Sequence, residues 1–425
     1  MRFRCHGCSA VIDAVHALPF RCPGHLPGDD IDHVLAPDAI DGVFPAGTEH
    51  NPFLRYRTLL SPYRLACAAG LSDAGWTDIV ETLDAAVLGI AGGGFRITPM
   101  TEQSRLAAAL GFRDGLWVKD ETGDVAGSHK ARHLMGVMLH LRVLELAKLP
   151  AGKDLRARRL AIASCGNAAL AAAVIARAAD WPLDVFIPPG ADSAVKQQLI
   201  ELGANITTCQ RGHGGAGDPC FLHFREAVAA GAIPFSVQGT ENGLAVEGGR
   251  TLAFEMIEQF RGAGIGPDRL FVQVGGGALA SALAQGFALG LRLGMLAKLP
   301  RLIAVQTHAC APLARAWRKV DGLDLASVAR HRSHFMWPWE GTTVSLASGI
   351  VDDETYDWWA VVEGMRGSGG RPVLVDETMI ARAHEICRLH TGIPASPTGT
   401  AGLAGAMALP AEKGRTAVIL SGVER

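Results

Sequence analysis

The 425-residue sequence predicts a soluble α/β protein of two domains, each an open, mostly parallel sheet with helices on both faces. Three observations carry that expectation. From about residue 116 onward, short β-branched runs alternate with alanine-rich helical stretches, the pattern of βαβ units. A chain of 425 residues exceeds the size at which one hydrophobic core usually keeps growing. Its composition, 48% hydrophobic and 19% charged with 51 glycines, suits close helix-on-sheet packing and argues against disorder.

Taken in order, residues 1–50 stand apart: Cys, His, Pro and Asp are frequent and no long period is visible, so they are read as an appendage. Expected strands then run through LWVKDE (Leu116 to Glu121), RLAIAS (Arg159 to Ser164), LDVFIP (Leu183 to Pro188) and ANITTC (Ala204 to Cys209). IPFSVQ, RLFVQV, RLIAVQ and RTAVILS, the last ending at Ser421, complete the set. Helices such as the one beginning within ASCGNAALAAAVIARAA follow strands directly, so their N-termini face the carboxyl ends of strands, the edge where parallel sheets bind ligands. RGHGGAGDPC, ending at Cys220, and SGGRP near Gly369 read as mobile glycine-rich loops.

Net charge is −2 and the basic residues are dispersed, which leaves no basic stripe for nucleic acid or anionic membrane; the expected partner is a small molecule. The weakly charged stretch Val272 to Leu291 opens on glycines and holds Gln273, Ser281 and Gln285, so it reads as a buried helix instead of a membrane span. MRFRCHGCSA has no apolar signal core, and nine cysteines without an export signal are expected as reduced thiols in the cytoplasm. Cys5-x-x-Cys8 followed by Cys22-x-x-His25 has ligand types and pair spacings compatible with a structural zinc ion, the alternative being reduced structural cysteines.

Four segments carry candidate chemistry. In KDETGDVAGSHKARH, Lys119 to His133, Lys130 opens a helix just past a strand and a small-residue turn. Desolvation and the nearby His129 and Arg132 would lower its pKa enough for imine formation, although a solvated lysine is the alternative. ASCGNAALAAA offers backbone N–H groups from Ser164 through Cys165, Gly166 and Asn167 to Ala168, a grip for a carboxylate, unless Asn167 is only a helix cap. In VQVGGGALASAL, Gly275, Gly276, Gly277 and Ala278 leave room for a phosphate. A nicotinamide-binding turn would need G-x-G-x-x-G, and Ser or Ala stands at its third glycine. Last, Ser421 ends the strand in AVILSGVER.

In this order, the four segments resemble the pyridoxal 5′-phosphate enzymes of the tryptophan synthase β fold, which include threonine synthase and the serine/threonine dehydratases. The resemblance covers about residues 50 to 425. It implies a Schiff base on Lys130, with Asn167 at the cofactor's 3′-hydroxyl, Gly275 through Ala278 at its phosphate and Ser421 at its ring nitrogen. It also implies a cofactor cleft between a large domain (51–124 and 236–425) and a small one (125–235), an N-terminal zinc-ribbon-like appendage (1–50) and a homodimer.

FLRYRTLLS near Arg55 and EGGRTLAFEMIEQF from Glu247 resemble the threonine synthase branch and are expected to serve packing. Around the cofactor the chain departs from that branch: S-F-K-D-R-G appears as Ser128-His129-Lys130-Ala131-Arg132-His133, and S-S-G-N-T as Ser164-Cys165-Gly166-Asn167-Ala168. Two hydroxyls and an acid are missing, and the hydroxyls would help hold a phosphorylated substrate. K-A-R and S-x-G-N-A resemble the dehydratase and ammonia-lyase branch instead, and the histidine before the lysine resembles the tryptophan synthase β subunit. The implied reaction is β-elimination on a small hydroxy or β-substituted amino acid. The alternatives are threonine formation from O-phosphohomoserine, a related β-replacement, or a non-catalytic relative that binds a ligand.

Overall fold

The computed structural model describes residues 1–38, 40–210, 218–341, 343–410 and 412–425. The core of RGHGGAGDPC, residues 211–217, lies outside the described residues. The N-terminal segment forms an antiparallel sheet in which β1 (Arg2–Cys5) lies between β2 (Val11–Asp13) and β3 (Leu35–Pro37). Two further strands, β4 (Met100–Glu102) and β5 (Leu116–Asp120), pair antiparallel at one edge of a six-stranded sheet. A separate four-stranded sheet follows, wholly parallel: β6 (Leu160–Ala163), β7 (Leu183–Ile187), β8 (Asn205–Thr208) and β9 (Ile233–Pro234), in the order β8-β7-β6-β9. The chain then returns to the six-stranded sheet with β10 (Arg269–Gln273), β11 (Arg301–Thr307), β12 (Arg371–Val375) and β13 (Thr416–Leu420). Its order is β12-β11-β10-β13-β5-β4, parallel apart from β4.

Strands buried on both faces must be apolar on both, and β10 shows it: Leu270 and Val272 face one hydrophobic cluster and Phe271 the other. Helices cover both faces of the large sheet. Ala278–Arg292 packs with Arg250–Gly262 on one side, while Pro397–Ala408 packs with Glu377–Thr391 on the other. The stretch expected as a buried helix forms Ala278–Arg292, and among the described residues no helix is long and apolar enough to cross a membrane.

In the small-sheet layer, Asn167–Ala178 is alanine-rich and buried along nearly its whole length, which lets Asp73–Ala91 and Lys130–Leu146 pack closely against it. Phe3 and Cys5 of the N-terminal sheet join the same hydrophobic cluster.

Two expectations change. SGGRP is not simply a loop: a helix ends at Ser368, Gly369 turns with φ +69°, and Arg371 starts edge strand β12. A Cβ on Gly370 would lie 1.9 Å from Leu302 O, so only glycine allows this approach to β11. Pro372 is tolerated because β12 is an edge. IPFSVQ shortens to Ile233–Pro234, since Ser236 Oγ and Gln238 turn the chain away by hydrogen bonding to each other.

Candidate functional site

The carboxyl ends of β5, β6, β10 and β13 deliver the four sequence motifs. After β5 the chain makes a tight turn through Ala126 (φ +53°) and Gly127 (φ +66°). Any Cβ on Gly127 would meet Val423 Cγ1 at 2.5 Å. Ser128 then runs extended and bridges antiparallel to Gly422, so Lys130 opens its helix beside the end of β13. His129 Nδ1 lies 3.0 Å from Ser421 O. A carbonyl only accepts, so Nδ1 carries the proton and Nε2, buried without a partner, is a bare acceptor. Burial, then the charge of Lys130, holds the His129 pKa far below the usual range, which keeps the ring neutral.

Burial also lowers the pKa of Lys130, against an opposing pull from the carboxylates of Asp352 and Asp357. The sequence reading gave part of this work to Arg132, and the structure corrects it. Arg132 is fully buried but turns away into an ion cluster with Glu121 (Nε to Oε2, 2.7 Å) and Glu255 (Nη1 to Oε1, 2.5 Å). Lys119 donates to the same Glu255 at 2.6 Å. This cluster ties β5 and the Lys130 helix to the helix Arg250–Gly262, so Arg132 holds the frame around Lys130 and does not tune its charge.

The second motif opens the helix Asn167–Ala178 with Gly166 as its cap. Its first intrahelical bond is Leu170 N to Gly166 O, 3.1 Å, so the N–H groups of Asn167, Ala168 and Ala169 have no acceptor in the helix. Ser164 contributes less than its position suggested, because its N–H is engaged by Phe186 O at 3.2 Å. Cys165 is exposed at the turn. The Asn167 side chain reaches the β13 end: Arg425 donates to its Oδ1, and a Cβ on Gly422 would lie 2.7 Å from its Nδ2. The segments carrying Lys130, Asn167 and Ser421 therefore meet at the carboxyl ends of β5, β6 and β13.

At the third motif Gly277 has φ +96° and precedes the helix Ala278–Arg292, whose first-turn N–H groups are likewise free. A segment the sequence did not mark packs onto these glycines. A Cβ on Gly275 would meet Asp352 Oδ2 at 2.4 Å, one on Gly276 would meet Tyr356 Cδ2 at 3.1 Å, and one on Gly277 would meet Thr355 Cγ2 at 2.9 Å. The Gly276 N–H is directed to the Asp352 carboxylate, whose pKa burial raises. One N–H of the cup thus already meets a carboxyl group. Burial pushes Asp357 up to about 7; it accepts from Gly239 N at 3.3 Å.

Ser421, the fourth element, is 3% exposed and takes a hydrogen bond from Gln273 Nε2 at 2.5 Å. Gln273, Asp352 and Asp357 were not picked out from sequence. The first ends an ordinary apolar strand, and the acids lie in VDDETYD, whose composition is that of a solvated loop.

A second constellation lies in the N-terminal sheet. Cys5, Cys8, Cys22 and His33 place their donor atoms within 4.8 Å of one another. Cys8 and Cys22 Sγ are 3.4 Å apart, and His33 Nδ1 is 3.6 Å from Cys5 Sγ. Asp29 Oδ2 binds His33 Nε2 at 2.9 Å, which leaves Nδ1 facing the thiols, the arrangement a metal-binding histidine uses. His25, the fourth ligand expected from the Cys-x-x-His spacing, packs beside His33 with ring centroids 5.3 Å apart. The return of the chain into β3 brings His33 to the corner in its place.

Comparison with known proteins bears on family and fold. The threonine synthase of Mycobacterium tuberculosis (strain ATCC 25618 / H37Rv) is 28% identical over 250 residues, 58% of this chain and 61% of that protein. The match thus spans about three-fifths of that relative's length. The threonine synthase of Synechocystis sp. is 25% identical over 309 residues, 72% of this chain and 70% of its own. Among solved structures, the threonine deaminase of T.th. superposes with a TM-score of 0.60 at 21% identity, covering 81% of this chain and 98% of that one. Maize serine racemase gives 0.60 at 19% identity, covering 81% and 93%. At such identities these structures establish the shared fold, that of the tryptophan synthase β-like enzymes. Residues 92–422 match the profile described as pyridoxal-phosphate dependent enzyme, and the chain belongs to that family.

Proposed function

We propose that this enzyme is a lyase that eliminates the β-substituent of a small hydroxy or otherwise β-substituted amino acid. The observation that carries the reading is the residue set beside Lys130 and Asn167: Ala131, Cys165 and Ala168 stand where the threonine synthase branch has an acid and two hydroxyls. Those hydroxyls would help hold a phosphorylated substrate, and a small β-hydroxyl does not need them.

The residues present fit the cofactor. Buried Ser128 Oγ and His129 Nε2 have no partner, and both flank Lys130. The glycine cup already draws the Asp352 carboxylate onto the Gly276 N–H. Burial shifts that carboxyl toward its uncharged form, the form that conflicts less with a phosphate. Lys130 would hold the aldehyde carbon, Gly275 through Ala278 the phosphate, Asn167 the 3′-hydroxyl and Ser421 the ring nitrogen. When bound, the cofactor supplies a carbonyl for the substrate's amino group and a ring that withdraws electrons from Cα.

The chain's own groups supply the rest. The free N–H groups of Asn167, Ala168 and Ala169 at a positive helix end suit the substrate carboxylate, in place of the run beginning at Ser164. The Lys130 Nζ, its pKa lowered by burial, is the base for the α-proton. Asp357, pushed up to about 7, can hold a proton near neutral pH for a departing hydroxide. Cys5, Cys8, Cys22 and His33 suit a structural zinc ion remote from this chemistry.

A second reading, threonine formation from O-phosphohomoserine, is favoured by the 28% identity to proteins named threonine synthase. Incubation with serine, threonine, hydroxyaspartate and O-phosphohomoserine, assaying keto acid and threonine, separates the two. Keto acid from the hydroxy amino acids supports the lyase; threonine from the phosphate ester overturns it.

A further inference from the structure

A cavity of about 200 Å³ lies where the N-terminal sheet meets the helices around the large sheet. Asp32 and Val34, just before β3, form one wall, and His6 stacks on Trp359 at 4.3 Å to close another. The helix Arg250–Gly262 contributes Arg250, and the helix Trp358–Ser368 contributes Glu363. Lys130, Asn167 and Ser421 are not among its lining residues. Asp357 borders it, and a Cβ on Gly277 would meet Asp357 Cβ at 3.3 Å, so the cavity neighbours the glycine cup without being part of it.

Arg250 points to a ligand there. It is buried, and its Nε and Nη2 have no hydrogen-bond partner. These two nitrogens form the guanidinium edge that a carboxylate meets through two parallel bonds. Glu247 Oε1 lies 3.2 Å from Nη2, but it already accepts from Ser61 N at 2.7 Å. A buried guanidinium short of acceptors costs free energy that an arriving carboxylate recovers.

The other charges select what the ligand carries besides that carboxylate. Asp32 is engaged by His6 Nε2 at 3.1 Å and Arg332 Nε at 3.2 Å, and Asp357 by Gly239 N at 3.3 Å. Glu363 stands on the exposed rim. With Glu247, these acids outnumber Arg250 and would repel a dianion such as phosphate, whereas an ammonium beside the carboxylate removes that penalty. Val34, Leu35 and Val246 add apolar wall for a short side chain. The volume exceeds the roughly 150 Å³ that admits a ligand the size of benzene.

We propose that this cavity binds a small α-amino acid as its zwitterion, with the carboxylate on Arg250 and the ammonium toward Glu363. The site stands apart from the reaction assigned above and does not depend on it.

The test is calorimetric titration of the holoenzyme after borohydride reduction, which leaves the cofactor unable to take up an amine. The probes are L-alanine, propionate, which lacks the ammonium, and ethylamine, which lacks the carboxylate. L-Alanine should bind, and each of the other two should bind about ten-fold more weakly or worse, the loss of one charge-assisted hydrogen bond. Arg250→Met should abolish L-alanine binding. Glu363→Gln should weaken it about ten-fold, and because it changes only an exposed side chain it carries the test if Arg250→Met does not fold. Absence of L-alanine binding in the millimolar range would overturn the proposal. So would propionate or inorganic phosphate binding as tightly as L-alanine, which would make this a plain anion site. L-Alanine binding untouched by Glu363→Gln would place the amino acid elsewhere, in the catalytic cleft, and refute the assignment.

Discussion

Replacing Arg132 with methionine should destabilise the protein far more than loss of an ordinary ion pair. Arg132 is fully buried and contacts Glu121, Glu255, Thr98 and Thr251 through its guanidinium. Burial raises the pKa of Asp124 well above its usual range, against the pull of Arg132, whose Nε lies 3.3 Å from its Oδ2. The wild-type cluster sets Lys119 and Arg132 against the acids Glu121, Glu255 and Asp124. Arg132→Met leaves the buried acids Glu121, Glu255 and Asp124 facing one ammonium. An orphaned buried charge of this kind costs about 3–5 kcal/mol, a large share of the roughly 5–15 kcal/mol that holds a domain folded. The assay is denaturant unfolding of the cofactor-loaded enzyme as a function of pH. The orphaned carboxylate takes up a proton more readily folded than unfolded, so the variant should regain stability relative to wild type as pH falls below neutrality. Arg132→Met combined with Glu121→Gln should recover part of the loss, since both partners are then neutral. A loss under about 1 kcal/mol at pH 7, the range of exposed pairs, would refute the reasoning.

Asp357 gives a pH signature of its own. Its pKa of about 7 in the fold lies above the 3.8 of a free carboxyl, so the folded state binds the proton more tightly and stability falls as pH rises from about 4 to 7. Asp357→Asn should remove that decline, worth at most about 4 kcal/mol, and a variant whose stability falls with pH as steeply as wild type would contradict the assignment. In the N-terminal sheet, elemental analysis should find stoichiometric zinc in wild type and in His25→Ala but not in His33→Ala. Retention of the metal by His33→Ala, with loss in His25→Ala, would restore the ligand set read from spacing.

Much of the frame is legible in the sequence because it is written locally. The apolar runs of β5, β6, β7, β10, β11 and β13 sit between glycine turns and alanine-rich helices, and the four motifs follow the carboxyl ends of β5, β6, β10 and β13. What escaped depends on distant contacts. β12 begins Arg371-Pro372, which reads as a loop until the edge position that tolerates proline is known. Cys-x-x-His spacing pointed to His25, yet the pairing of β1 with β3 brings in His33. Arg132, two residues past Lys130, looked like a neighbouring charge, but helix geometry turns it toward Glu121 and Glu255. Asp352 and Asp357 gain meaning only from the packing of their segment onto Gly275 through Gly277.

The central claim is the covalent attachment at Lys130. Borohydride reduction of the enzyme incubated with pyridoxal phosphate, followed by proteolysis and mass spectrometry, tests it most directly. The account predicts a phosphopyridoxyl group on the peptide containing Lys130, and no visible absorption band in Lys130→Ala. A label on another lysine, or a protein that never takes up the cofactor, would contradict it.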